Sequence, residues 1–159
     1  MRHILSVRVE NEPGVLSRVA GLFSGRGFNI ESLNVAPALE EGVSHMTIVT
    51  CGDAQILEQI TKQLHKLIPV ITVESLDGAA VLEREMMFLK LRAEDARRGE
   101  ILRIAEIFRC KVIDVSLAEL TLEATGDKEK LDAVVKLLQG FGIVEITRTG
   151  TMAMRRSTE

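Results

Sequence analysis

The 159-residue chain contains no tryptophan and no tyrosine, and only five phenylalanines. A protein that stacks unpaired bases on aromatic rings would have almost nothing here to stack them on. Positive charge is not in excess either: 20 Lys and Arg stand against 23 Asp and Glu, a formal net charge of −3. A surface built to neutralise phosphates is therefore not expected, and no nucleic-acid partner is. Cysteine is scarce. Cys51 and Cys110 lie far apart, no CxxC occurs, and two thiols cannot complete a tetrahedral metal site. No apolar run reaches bilayer length, so no membrane partner is expected. The start, Met1-Arg2-His3-Ile4-Leu5, enters a strand pattern directly, without a signal-peptide core. The expectation is a cytoplasmic protein with free thiols.

What is present is a regular alternation of period-2 and period-3.6 segments. Ile4 to Glu10 alternates as a strand, and Leu16, Val19, Ala20 and Phe23 mark one face of a helix that stops at Gly25-Arg26-Gly27. Asn29 to Ala36 and Ser44 to Cys51 read as a hairpin around Pro37 to Gly42. Asp53 is placed to cap a helix with Leu57, Ile60, Leu64 and Leu67 on its buried face, and Val70 to Glu74 is a fourth strand after Pro69. Beyond Asp77-Gly78-Ala79-Ala80 the same order returns: strand Met86 to Arg92, a helix with Ile101, Ile104, Ala105 and Phe108, and a short hairpin from Lys111 to Ala124. A helix capped by Asp127 carries Leu131, Val134, Val135 and Leu138, and strand Ile143 to Arg148 closes the set. Val19-Ala20-Gly21-Leu22-Phe23 matches Ile104-Ala105-Glu106-Ile107-Phe108. Leu57, Ile60, Lys62, Leu64 and Val70 match Leu131, Val134, Lys136, Leu138 and Val144. The fold class is α+β, with two ferredoxin-like βαββαβ units in tandem, residues 1–77 and 78–159. Units this small leave sheet edges and a bare sheet face to cover, so dimerisation is expected.

Chemistry is hard to find. His3, His45 and His65 have no partner at triad or metal spacing and read as surface or half-buried residues. Carboxylates alternate with Lys and Arg on solvated faces, and no phosphate-loop, dinucleotide or zincin motif occurs. Catalytic residues, a bound metal and a cofactor of its own are therefore not expected. Gly21, Gly25 and Gly27 read as packing and cap residues.

One stretch stands out: Asn11-Glu12-Pro13-Gly14-Val15-Leu16, between the first strand and the first helix. Pro13 suits a first helical turn, and Gly14 leaves the backbone uncovered. The N–H groups of Gly14, Val15 and Leu16 would then face outward at the positive end of the helix, a seat for a carboxylate, with Asn11 able to donate and accept. The same stretch also fits an ordinary tight turn with Asn11 as N-cap. The corresponding point of the second repeat, Ala93-Glu94-Asp95-Ala96, has no Pro-Gly and would repel an anion.

This loop, inside a βαββαβ unit, resembles the ligand loop of ACT domains, the amino-acid-sensing modules of metabolic enzymes. Leu22-Phe23-Ser24-Gly25-Arg26-Gly27-Phe28-Asn29-Ile30-Glu31-Ser32-Leu33, Met46-Thr47-Ile48, the segment from Leu57 to Leu67, Val81 to Met87, and Ile107-Phe108-Arg109 extend the likeness along the chain. Together they resemble the small, regulatory subunit of acetolactate synthase (acetohydroxyacid synthase). The resemblance implies a non-catalytic homodimer that activates a large catalytic subunit of branched-chain amino acid biosynthesis. It further implies feedback inhibition by valine, or by leucine or isoleucine. Thiamine diphosphate, magnesium and FAD would belong to that catalytic subunit. It implies an N-terminal ACT domain that dimerises and binds the effector, and a C-terminal ACT-like domain. The effector would lie between chains, held by Asn11, Glu12, Pro13, Gly14, Val15 and Leu16 of one and by Asn29 and Ile30 of its mate. Two rival classes are a stand-alone ACT-type sensor governing another enzyme or gene expression, and a small enzyme of acylphosphatase type. The first lacks a basic patch here, and the second lacks an arginine in its anion loop.

Overall fold

In a computed structural model, residues 1–78 and 80–157 are described; Ala79, at the expected junction, and Thr158 and Glu159, in the expected second domain, lie outside them. The elements are β1 (Arg2–Glu10), α1 (Val15–Gly25), β2 (Ile30–Pro37), β3 (Val43–Cys51), α2 (Ala54–His65) and β4 (Val70–Ser75), then β5 (Val81–Arg92), α3 (Asp95–Ile107), β6 (Lys111–Val115), β7 (Glu119–Gly126), α4 (Lys128–Leu138), β8 (Ile143–Arg148) and β9 (Met152–Arg155). The first sheet has the order β2-β3-β1-β4 and the second β6-β7-β5-β8, with antiparallel neighbours. Two ferredoxin-like βαββαβ units are therefore present, as the alternating periods predict.

In the first unit, alternation along β1 sends Leu5, Val7 and Val9 to the helix side, where they meet Met46 and Ile48 of β3, Val15, Val19 and Phe23 of α1, and Ile60 and Leu64 of α2. Each large apolar side chain removed from water in this way contributes about 1.5–3 kcal/mol. Helix α1 buries Val15, Val19 and Phe23, one turn apart, so its inward stripe is rotated from the expected one and Leu16 remains 45% exposed. Asp53 caps α2 as expected, its carboxylate accepting the Ile56 N–H at 2.9 Å.

In the second unit the core is Met87, Leu89 and Leu91 of β5, Leu120, Leu122 and Ala124 of β7, Ile101 and Ala105 of α3, and Leu131, Val134 and Leu138 of α4. The repeat holds across α2 and α4: Asp127 accepts the Lys130 N–H at 2.9 Å, and Val134 and Leu138 are buried as Ile60 and Leu64 are. Across α1 and α3 the residue match slips. Phe23 is buried within α1, whereas α3 buries Ile101 and Ala105, and Phe108, its C-cap, is only partly buried against the core. Four residues, Asn11–Gly14, connect β1 to α1; two, Ala93 and Glu94, connect β5 to α3.

Backbone contacts divide the chain into Met1–Leu82 with Thr151–Glu159, and Glu83–Gly150, rather than at 77/78. The difference is β9, which the sequence reading left out. Ala153 is buried with Ile4, Val49 and Leu76 on the first sheet's other face, and Val81 packs beside them. Thr151 donates its N–H to Ser32 Oγ at 2.8 Å, Arg155 pairs with Glu74, and Arg156 donates to the Ala80 carbonyl at 2.8 Å. Part of the bare sheet face is thus covered by the chain's own last strand.

Candidate functional site

The β1–α1 loop is held at its base by main-chain bonds. Glu10 donates to the Pro69 carbonyl and Asn11 to the Gly42 carbonyl, both at 2.8 Å, and Glu12 donates back to Glu10 at 3.0 Å. The N-cap is Gly14, with φ +85°, and no side chain caps the helix. This settles the choice left open by the sequence: Asn11 is not the N-cap. Gly14 is needed because a left-handed backbone strains any residue with a Cβ, although a Cβ there would meet only open space. The first helical bond runs from Arg18 N–H to Gly14 O at 3.0 Å, and Val15 N–H makes a longer turn bond of 3.4 Å to Glu12 O. Among the described residues, the N–H groups of Gly14, Leu16 and Ser17 have no acceptor. The open donors therefore include Ser17 in place of Val15. Asn11, Glu12, Pro13 and Gly14 are exposed, Val15 turns its side chain into the core, and Leu16 is an exposed aliphatic group beside the open donors. The arrangement offers three amide donors at a positive helix end next to an apolar surface.

Ile30 opens β2, an edge strand, and Asn29 immediately precedes it. Thr50 Oγ1 donates to the Asn29 carbonyl at 2.7 Å, the Asn29 side chain is exposed, and Ile30 is half-buried against the first core. A register shift between Ile30 and Ser32 leaves Glu31 as a bulge. Within one chain these residues do not meet the loop. Ile30 pairs with Thr50 at one end of β3, while Glu10, just before the loop, pairs with Val43 at the other. The seven steps along β3 from Val43 to Thr50 correspond to roughly 23 Å.

The second unit closes the equivalent position. Arg98 donates to the Ala93 carbonyl at 2.8 and 3.0 Å, to Ser116 O at 2.6 Å and to Leu117 O at 3.0 Å. Arg97 reaches Gly140 O at 3.0 Å and stacks on Phe141 at 5.0 Å. Arg97 and Arg98 thus tie the start of α3 to the β6–β7 turn and to Gly140.

The sequence reading missed a buried polar pair. His3 is only 5% exposed; its Nδ1 lies 2.5 Å from Asp77 Oδ2 and its Nε2 3.1 Å from Gly52 O. Both ring nitrogens thus face an oxygen, one a carboxylate and one a main-chain carbonyl. Burial pushes the Asp77 carboxyl upward, but the His3 bond, the Ile4 N–H and the His3 charge outweigh it and hold it below its usual range. His45 is half-buried and bonded to Ser6 Oγ at 2.8 Å; burial, then the charge of Arg8, lowers its pKa. Both cysteines are free, as expected, with Cys51 exposed. Among the described residues no cluster of His, Cys, Asp and Glu could hold a metal, and no helix is long and apolar enough to cross a membrane.

The tandem ferredoxin-like fold and the open helix-start loop define a protein of the ACT-domain class. Residues 5–72 match the family described as AHAS small subunit-like ACT domain, and residues 84–157 match that described as small subunit of acetolactate synthase. A probable acetolactate synthase small subunit of Methanothermobacter thermautotrophicus is 51% identical, with 98% of this chain and 94% of the relative covered. The isozyme 3 small subunit of Salmonella typhimurium is 50% identical over 98% and 96%. The crystal structure of the Thermotoga maritima small subunit superposes with a TM-score of 0.92 at 41% identity, covering 100% and 99%. The chain belongs to the acetolactate synthase small subunit family. Its role is that of a regulatory, non-catalytic subunit of that enzyme, which disfavours a stand-alone sensor and a small enzyme.

Proposed function

We propose that this subunit activates its large catalytic partner and makes it sensitive to a free branched-chain amino acid, valine, with leucine or isoleucine as the alternatives. The effector's carboxylate takes the open N–H groups of Gly14, Leu16 and Ser17, and Asn11 and Asn29 contact its polar end. Leu16 and Ile30 offer aliphatic surface to the branched side chain, in keeping with a site that has no aromatic ring. Val15 contributes its packing, and Glu12 and Pro13 fix the turn.

The observation that carries this reading is the roughly 23 Å between the loop and Asn29 along one sheet. Both half-sites serve one ligand only if two chains supply them. Strand β2 is an edge, and its far end, Pro37, pairs with Ser44, next to the Val43–Glu10 pair that precedes the loop. Antiparallel pairing of β2 with its copy brings Asn29 and Ile30 of one chain toward that end of the other. A two-fold homodimer built this way has two composite sites. The N-terminal domain, residues 1–77 of the expected division, is the effector-binding and dimerising part, and the C-terminal domain, from 78, serves activation. Thiamine diphosphate, magnesium and FAD belong to the catalytic subunit, and the complex is cytoplasmic.

The test mixes the purified chain with its cognate catalytic subunit and follows acetolactate formation with and without valine, alongside calorimetry of valine with the small subunit alone. The expected result is no turnover by the chain itself, a several-fold rise in the mixture, and loss of that rise with valine. A catalytic subunit indifferent to the chain overturns the regulatory reading. Activation without any valine binding overturns the effector assignment and leaves activation standing.

A further inference from the structure

The helix side of the first unit carries a feature that neither the core nor the loop uses. On α1 and its C-cap, Arg18, Gly21, Leu22, Gly25 and Arg26 recur at three- and four-residue spacing, so they form one stripe. Beside them stand Gln63 on α2 and Lys66 and Leu67 just past its end, and together they line an open groove of about 610 Å³. Its charge is of one sign. Arg18, Arg26 and Lys66 are exposed, no carboxylate lines the groove, and among the described residues none of the three forms an ion pair. On a chain with a net charge of −3, three convergent cations without partners are a local departure.

The glycines add to this. Gly21 lies inside α1, where glycine costs about 1 kcal/mol relative to alanine. Neither Gly21 nor Gly25 has a positive φ, and a Cβ on either would meet no atom of the chain within 4 Å. The sequence reads them as packing and cap residues; the structure corrects the packing part, since no atom of this chain packs against either. Their effect is to keep the groove deep and its backbone approachable, with Leu22 and Leu67 as an apolar floor.

From these observations we infer that the α1–α2 groove is a docking surface for an acidic segment of the catalytic subunit that also carries apolar side chains, holding that subunit while the C-terminal domain serves activation. Charge complementarity selects the occupant. A second copy related by a two-fold axis would set Arg18, Arg26 and Lys66 against themselves, which is repulsive. An acidic segment neutralises all three and seats its apolar residues between the cations, against glycine backbone. Arg26 and Lys66 also end their helices, where a cation favours the dipole, but Arg18 is in the first turn of α1 and has no such role. The inference rests on the proposed role of the chain as a partner of the catalytic subunit.

The experiment uses the full chain and its catalytic subunit, with binding followed by biolayer interferometry over a range of NaCl concentrations. Two variants are compared with wild type: the double variant Arg26→Glu/Lys66→Glu, which reverses charge far from Gly14, and Gly21→Leu, which fills the groove from a helix position with room for it. Both should remain helical and bind valine as wild type does. The expected result is a Kd roughly ten-fold weaker or more for each. Wild-type affinity should fall with salt, and the double variant should have lost most of that dependence. Wild-type affinity in both variants overturns the inference, as does retention of the salt dependence by the double variant. If the wild-type chain fails to bind the catalytic subunit at all, the regulatory reading fails instead, and the two failures are distinct.

Discussion

Gly14 has two properties that can be separated by two substitutions. Its φ of +85° costs any L-residue roughly 1–2 kcal/mol, and its position at the helix start is where a ligand carboxylate would lie. Gly14→Ala introduces the strain alone, because its Cβ meets nothing within 4 Å. It should lower the melting temperature, each kcal/mol being worth about 4–8 °C in a domain of this size, and leave valine affinity within about two-fold. Gly14→Asp introduces the same strain but relieves it. Aspartate tolerates the left-handed region better, its charge gains about 0.3–1 kcal/mol at the helix start, and its oxygen can cap an open N–H for about 1 kcal/mol. Its melting temperature should lie above that of the alanine variant. Against a ligand carboxylate about 4 Å away, the new charge costs about 1 kcal/mol if the site is as wet as bulk water and about 4 kcal/mol at an effective dielectric of 20. Affinity should fall by roughly five-fold to a thousand-fold. Calorimetry with valine and thermal denaturation by circular dichroism then rank the variants in opposite orders. If alanine weakens valine as much as aspartate does, the loop is not a carboxylate seat.

Three other outcomes follow from the same structure. Arg148→Ala strips the partner from Glu85, 7% exposed and bonded to Arg148 at 2.7 and 3.1 Å, and should cost about 3 kcal/mol in urea denaturation. Ala153→Asp buries a charge among Ile4, Val49 and Leu76 and should destabilise the first unit by about 2–4 kcal/mol, whereas Met152→Asp, on the exposed side of β9, should cost less than 1. Stability should fall in two stages as pH drops. The first begins near 6.5, because the unfolded chain takes up a proton that folded His45 refuses; the second begins below 3.8, as Asp77 and Asp132 are forced to protonate. His45→Gln should remove the first stage from a plot of urea midpoint against pH.

Much of the architecture was legible because period and punctuation agreed. Leu5, Val7 and Val9 alternate, Asp53 and Asp127 cap their helices, and Ile60 and Leu64 recur as Val134 and Leu138. Two kinds of feature were not. Long-range pairings leave no local trace: nothing in His3 or Asp77 announces a partner 74 positions away, and β9 carries one buried residue, Ala153, too few for a pattern. The inward face of α1 was misjudged because Val15 and Leu16 are both apolar at the helix start, and the four-residue loop decides which turns inward. The candidate site was legible as a loop through Pro13-Gly14. Its second half, Asn29 and Ile30, came only through the family likeness, since no periodicity links an edge-strand start to a loop roughly 23 Å away.

Mixed dimers address the composite site directly. Gly14→Asp chains, which lack a working loop, and Asn29→Ala chains, which lack the strand contact, are each expected to bind valine poorly as homodimers. Refolded together, they form heterodimers in which one site pairs the wild-type loop of one chain with the wild-type Asn29 of the other. Titration calorimetry on the tagged and purified heterodimer should then recover one valine site per dimer at close to wild-type affinity. A heterodimer that binds no better than either parent would mean that each site lies within a single chain, and the two-chain site would be refuted.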